Sequence, residues 1–479
     1  MLQSGFTSLV TKRTVTFSQK GMIDMTAKWY DKAVFYHIYP LGLCGAEKLN
    51  DGITTTHRME ELEEWIPHMV KIGCNAVYIG PLFESVGHGY ETTDYRQVDR
   101  RLGDNDDFIR FVKLCHEADI KVVVDGVFNH TGREFFAFKD IQEKREGSKY
   151  RDWYCNVNFG SNTEYNDGFS YDGWRGYQLL VRLNQRNPEV KQYIFDVIQY
   201  WVDEFNIDGI RLDCADVLDF DFMKEMRTFC NTVKEDFWLM GEVIHGDYSR
   251  WVNNETLHSV TDYELHKGLY SGHNDHNYFE IAHTVKRLFD SNGGIVKNAN
   301  LYSFLDNHDV DRIYNKLVNK AHLIPVHFLL YTLPGIPSIY YGSEFGIEGR
   351  KENNSDDGVR PRLVLSDYID EPSKNEYKEL TKLLALLAGI RKSSQALQQG
   401  MYKELALTNR QYAFARIDRE DVVVTAVNND DNEATMSISI PVACDKVTDV
   451  LTGEEYLVEN GKLNIVLPAN NGLVLQCVK

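Results

Sequence analysis

From about residue 27 to residue 390 the chain alternates short apolar runs with longer amphipathic stretches. The runs are rich in β-branched and aromatic residues. They fall at Val34–Tyr39, Ala76–Ile79, Val122–Asp125, Gly209–Asp213, Leu239–Val243, Tyr302–Leu305 and Ile336–Tyr341, with a weaker one at His258–Val260. The clearest stretch between them spans 188 to 205. Asn187 suits an N-cap and Pro188 the first helical position. Val190, Ile194, Val197, Ile198, Trp201, Val202 and Phe205 then recur at helical spacing. Strands alternating with such helices imply parallel strands and crossover connections. Counting the weak run gives eight units, which predicts an α/β fold, a closed (β/α)8 TIM barrel.

Two regions break the alternation. From His130 to about Arg182 the chain is rich in Tyr, Gly, Asn and Asp and shows no strong period. An excursion of that length after the third strand predicts a small inserted domain or an active-site lid. Beyond about residue 400 the pattern turns strand-like, at Tyr412–Ala415, Val422–Val427 and Met436–Ile440, with turns at Asn428–Asp431 and Asn470–Gly472. That predicts a C-terminal all-β sandwich. The expected division is an N-terminal arm over 1–26, a barrel over 27–130 and 183–395, an insert over 131–182 and a β-sandwich domain over 396–479.

Composition adds little to this outline. The chain has 479 residues, 43% hydrophobic and 26% charged, an ordinary globular balance. Its formal net charge of −19 repels nucleic acid and anionic membrane, serves solubility, and is compatible with a neutral substrate without indicating one. The first residues lack a basic segment followed by an apolar run, and no stretch approaches the roughly 20 apolar residues of a membrane helix. A cytoplasmic protein is therefore expected. The eight cysteines form no CxxC pair and are expected as buried free thiols in a reducing compartment. Oligomeric state stays open.

In such a barrel, chemistry sits at the C-terminal strand ends. Strand three ends in Asp125, followed by Asn129 and His130. Strand four ends in Arg211 and Asp213, strand five in Glu242, and strand seven is followed by Asp306, Asn307, His308 and Asp309. His88 and Tyr90 follow strand two. Crowded carboxylates raise one another's pKa, which makes sense where one must be protonated and another ionised. Glycoside hydrolysis needs that combination. Arg211 and Asp213 are two apart on a strand and share a face, so the guanidinium would keep Asp213 ionised. The apolar run Phe237–Met240 before Glu242 would raise its pKa and favour a general acid. The same alternation turns Cys214 away from the pocket, as a core thiol.

At these residues the sequence resembles the α-amylase family of glycoside hydrolases. Asp125-Gly126-Val127-Phe128-Asn129-His130, Gly209-Ile210-Arg211-Leu212-Asp213, Gly241-Glu242-Val243-Ile244-His245 and Phe304-Leu305-Asp306-Asn307-His308-Asp309 are similar to its four signatures, in family order. His88–Tyr95 and Gly335–Glu344 resemble the segments at strands two and eight. The resemblance implies Asp213 as nucleophile, Glu242 as acid and base, and Asp309 as stabiliser of the distorted ring. It implies a substrate-binding set of Tyr90, His88, Asp125, His130, Arg211, His245, His308 and Arg360, with Tyr90 stacking on the sugar. The partner implied is an α-glucan oligosaccharide. No cofactor is required. Asn129 matches a family calcium ligand, so calcium is left open, although Leu41–Asp51 carries no Asp-x-Asn-x-Asp pattern.

Asp216-Val217 stand where typical endo-acting α-amylases carry Lys-His. Glu242–His245, Tyr150–Tyr154 and Leu183–Val190 instead resemble the neopullulanase, cyclomaltodextrinase and maltogenic amylase group, without that group's N-terminal domain. The expected activity is retaining hydrolysis of α-1,4 bonds in maltodextrins, starch fragments or cyclodextrins. An α-glucosidase or transglycosylase of the same family is the alternative. A non-catalytic binding protein is the reading from another class; such proteins lose a catalytic carboxylate, and all three are present here.

Overall fold

The computed structural model describes residues 28–296, 299–352, 355–369 and 378–478. The arm expected over residues 1–26 lies outside them. Eight parallel strands form the central sheet: β1 (Phe35–Ile38), β2 (Ala76–Ile79), β3 (Lys121–Gly126), β4 (Gly209–Leu212), β5 (Trp238–Gly241), β6 (Ser259–Val260), β7 (Tyr302–Phe304) and β8 (Ile336–Tyr340). Each pairs with its neighbour in chain order, and β8 returns to β1. A parallel bridge between Thr261 and Tyr302 links β6 to β7 and completes the ring. The weak run at His258–Val260 is thus a real but two-residue strand.

Alternation along each strand sorts side chains between two cores. Phe35, Ala76, Tyr78, Val123, Trp238, Met240, Tyr302, Phe304 and Ile336 pack together inside the barrel. Val77, Ile79, Val122, Val124, Ile210 and Leu239 face outward onto the helices. The helix Pro188–Phe205 shows why. Asn187 caps it by accepting the Glu189 N–H, Asn206 ends it in a left-handed turn, and its apolar stripe is buried except Val202, which is half-buried.

The excursion after β3 is ordered. It holds the helix Phe136–Lys144 and a small antiparallel sheet of His130–Thr131, Tyr177–Arg182 and Gly173–Trp174. The hairpin between the last two turns on Arg175 and Gly176, both at positive φ (47° and 91°). Two such residues make the tight turn whose twist matches the flanking strands. After the helices Lys378–Ser393 and Gln395–Gln399, the chain forms an antiparallel eight-stranded C-terminal sheet from Met401 onward. Ala413, Val424, Ala426, Ile438, Val447, Ile465 and Leu475 make its own core.

Candidate active site

The catalytic candidates sit where the barrel's hydrogen bonds end. The Asp213 N–H donates to the Gly126 carbonyl at 3.1 Å, and the Glu242 N–H donates to the Leu212 carbonyl at 2.9 Å. Both backbones are therefore pinned by adjacent strands one residue past β4 and β5. Asp309 stands five residues beyond β7, on a loop tied down by Asp306. The buried Asp306 carboxylate accepts the Ile313 N–H at 2.7 Å and the Ser343 hydroxyl at 2.8 Å. Asn307 Oδ1 accepts the Asp309 N–H at 2.8 Å and orients it.

Arg211 is the hub. It is opposite Asp125 in the β3–β4 register, and its Nη1 donates to Asp125 Oδ1 at 2.8 Å and to Asp213 Oδ1 at 2.9 Å. Its Nη2 lies 2.9 Å from Glu242 Oε2. One guanidinium thus faces three carboxylates in a buried place. A single positive charge cannot support three negative ones out of water, so one acid gives up its charge. Glu242 is that acid: burial raises its pKa to about 8, with Arg211 opposing and Asp213 and Asp309 adding to the rise. The pairing with Arg211 loses because that cation is already shared.

Asp309 goes the other way. Burial works against its charge, but His308, Arg360 and Arg211 outweigh burial and hold its carboxyl well below the usual range. Arg360 Nη2 donates to Asp309 Oδ1 at 2.9 Å, and His308 Nε2 lies 3.0 Å from Asp309 Oδ2. The site therefore sets a carboxyl held in its acid form, Glu242, against one held in its charged form, Asp309, the division of labour that acid-assisted bond cleavage requires.

A cleft of about 1010 Å³ opens over these groups. Tyr90, His88, His130, His245, Arg360, Asp213, Glu242 and Asp309 all line it. His245 and His88 are exposed on its rim. Asp125, Arg211 and His308 do not line it; they lie beneath. Asp125 takes the Tyr78 hydroxyl at 2.8 Å and the Tyr90 hydroxyl at 3.3 Å, and His308 hydrogen-bonds Tyr90. In this arrangement the three hold Tyr90 and the carboxylates in place. Burial pushes the His130 imidazole down to about 3, so it is neutral at physiological pH.

The sequence reading of Cys214 is corrected. Strand alternation ends at Leu212, and Cys214 takes a left-handed conformation (φ 45°, ψ 43°). That turn brings its thiol back to 2.7 Å from Asp213 Oδ2, and Cys214 lines the cleft. Its N–H donates to Glu242 Oε2 at 3.1 Å. All eight cysteines are free thiols, and Cys155, Cys444 and Cys477 are only half-buried.

Other cleft residues were not foreseen. Tyr263 donates no chemistry but its hydroxyl accepts the Asn307 amide at 3.0 Å. Tyr39 does not line the cleft but packs against Arg360, which does, 4.6 Å from ring centre to Cζ. The hairpin from the insert contributes Trp174 and Tyr177, whose rings stack at 5.9 Å, and Arg175, which pairs with Asp216 at 2.9 Å. For the hairpin a signal existed, the Arg175-Gly176 turn between aromatic residues; for Tyr39 and Tyr263 none did.

Calcium does not fit well at Asn129. Its side-chain amide contacts His130 Nδ1 and its carbonyl accepts the Leu183 N–H. Calcium wants six to eight oxygen ligands, several of them carboxylates. Among the described residues, the two acid, imidazole or thiol groupings at metal-like spacing are His130/Asp213/Cys214 and His57/Asp104/Asp107, and the first, next to Asn129, offers a single carboxylate.

Comparison with known proteins bears on the family. The family model "Alpha amylase, catalytic domain" matches residues 58–383. A cyclomaltodextrinase of Bacillus sp is 30% identical over 426 residues, covering 84% of this chain and 73% of that protein. Neopullulanase 2 of Thermoactinomyces vulgaris is 29% identical, covering 99% of this chain and 83% of the relative. A solved cyclomaltodextrinase structure superposes with a TM-score of 0.79 at 27% identity, over 94% of this chain and 78% of the other. The chain belongs to the α-amylase family and is a glycoside hydrolase.

Proposed function

We propose that this enzyme hydrolyses α-1,4 bonds of maltodextrins, starch fragments or cyclodextrins by double displacement with retention of configuration. One observation carries the reading: burial, with the charges of Asp213 and Asp309, keeps Glu242 in its acid form although the Arg211 it shares with Asp125 and Asp213 opposes this, and Asp213 stands ion-paired beside it. Glu242 gives its proton to the glycosidic oxygen as Asp213 attacks the anomeric carbon. The bond to the leaving sugar breaks and an ester to Asp213 forms. Glu242, now ionised, takes a proton from water, and the hydroxide attacks the same carbon and frees Asp213. Asp309 remains charged throughout and stabilises the positive ring, while Tyr90 presents an apolar face to the sugar.

The relatives named cyclomaltodextrinase and neopullulanase support the choice of an α-glucan substrate. The Arg175–Asp216 pair supports a cleft partly spanned on the side where endo-acting amylases carry a lysine and a histidine. No metal enters the proposed steps. Product analysis on maltohexaose, β-cyclodextrin and pullulan tests the substrate reading. Release of maltose and glucose from at least one of them is expected. If all three are untouched while sucrose or trehalose is consumed, the reading is wrong.

A further inference from the structure

Cys214 has no part in the steps above, yet it lines the catalytic cleft and its thiol lies 2.7 Å from Asp213 Oδ2. It has company. One donor atom each from His130, Asp213 and Cys214 lies within 4.8 Å of the others, and all three side chains are buried. His130 is only 1% exposed, and its Nε2 meets no hydrogen-bond partner among the described residues, while Nδ1 contacts Asn129. A buried imidazole nitrogen without a partner, next to a thiol and a carboxylate, is a costly arrangement that a cation would relieve.

We propose that His130, Asp213 and Cys214 form a reversible inhibitory site for zinc, with a water from the cleft as fourth ligand. Imidazole and thiolate are donors for zinc and similar soft or borderline cations and are poor ones for calcium or magnesium. Donor atoms around tetrahedral zinc stand about 3.5 Å apart, so side-chain rotation of an ångström or so completes the site. The step is an exchange. The Cys214 S–H bond breaks, the proton leaves to solvent, and Sγ, the carboxylate and the imidazole bind the ion. No oxidant or reductant takes part. Thiolate and carboxylate together neutralise the two charges of zinc, which suits a place already rich in acids. The competing reading is a thiol that merely fills the corner beside Asp213, with the His130 nitrogen kept for a sugar hydroxyl; it predicts metal binding that does not depend on Cys214.

The inhibition rests on the reading of Asp213 as nucleophile, because zinc would occupy the oxygen that attacks the sugar. The binding does not. The test therefore has two readouts on the full chain. Zinc, magnesium and calcium are each titrated against maltodextrin hydrolysis, and cobalt, as a coloured stand-in for zinc, is titrated without substrate. The Cys214→Ser variant keeps a hydrogen-bonding group beside Asp213 and removes the sulfur; Cys214→Ala is the second variant, and thermal melting shows that each is folded. Zinc alone is expected to inhibit, competitively with substrate. The half-inhibiting concentration should rise at least about tenfold in both variants, each measured against its own uninhibited rate, since losing even an outer partner of a metal costs that much. The thiolate-to-cobalt absorption should fall in parallel. Equal inhibition and equal absorption in parent and variants would overturn the site. Cobalt binding that depends on Cys214 while zinc leaves hydrolysis intact would uphold the site and overturn the role given to Asp213.

Discussion

Burial and the charges crowded around Arg211 push Glu242 and Asp309 in opposite directions, and the result reads out as pH dependence. With the Glu242 pKa at about 8, the proton donor is in its acid form below that pH and is lost above it. The alkaline limb of kcat/KM is therefore expected near pH 8, and Glu242→Gln should abolish that limb and lower kcat by about 10³-fold or more. Asp309 titrates in the opposite sense. Its carboxyl is held down by His308 and Arg360, so it stays charged until the pH is well into the acid range. Arg360→Ala removes one cation and should move the acid limb of kcat/KM upward by about one pH unit or more. An unmoved limb would mean that Asp309 does not set it. Asp213 and Glu242 were legible in the sequence because each lies one residue past an apolar run, where the barrel's polarity places it; Asp309 follows its run at a longer step, and Arg360, at no strand end, came only with the family resemblance. Cys214 was misread because its direction depends on one left-handed residue after the strand ends, and a non-glycine in that conformation leaves no mark in the pattern.

The element that shapes the cleft is the hairpin Gly173–Arg182. It carries Trp174 and Tyr177 over the catalytic groups, with Tyr177 65% exposed, and is tied to the barrel by Arg175 and Asp216. That ion pair is half-exposed, so it contributes less than about 1 kcal/mol to stability. Arg175→Ala should leave the melting temperature almost unchanged. Trp174→Ala should raise KM for maltohexaose several-fold with a smaller change in kcat, because a stacked ring contributes binding in ground and transition states alike. A loss confined to kcat would contradict a role in substrate binding. The helix Pro188–Phe205 was legible from cap to cap, since its stripe and its Asn187-Pro188 start are local signals. The insert was legible only as an interruption: its hairpin signal is a single two-residue turn, and the strand His130–Thr131 pairs with a partner some fifty residues on.

At the scale of the molecule, the ring of eight strands was legible by counting, and so was the change to a β domain near residue 400. The contacts that join barrel and sandwich were not, since they are made between remote segments. Arg416, buried on a strand of the C-terminal sheet, donates to the Thr332 carbonyl at 3.1 Å and to the Gly400 carbonyl at 3.0 Å. On the barrel side of that junction, Arg391 donates to the Gly335 carbonyl and, close by in the chain, to the Leu397 carbonyl, both at 2.7 Å. Arg416→Ala leaves buried carbonyls unpaired, at about 1–3 kcal/mol each, and should lower unfolding stability by about 2–5 kcal/mol in a denaturant titration. The account as a whole stands on the ester to Asp213. Its most direct test is mass spectrometry of the enzyme after incubation with a fluorinated maltosyl fluoride, which forms the ester quickly and releases it slowly. The account predicts one glycosyl adduct, mapped to the peptide carrying Asp213; an adduct on another carboxylate, or none while the product emerges with inverted configuration, would contradict it.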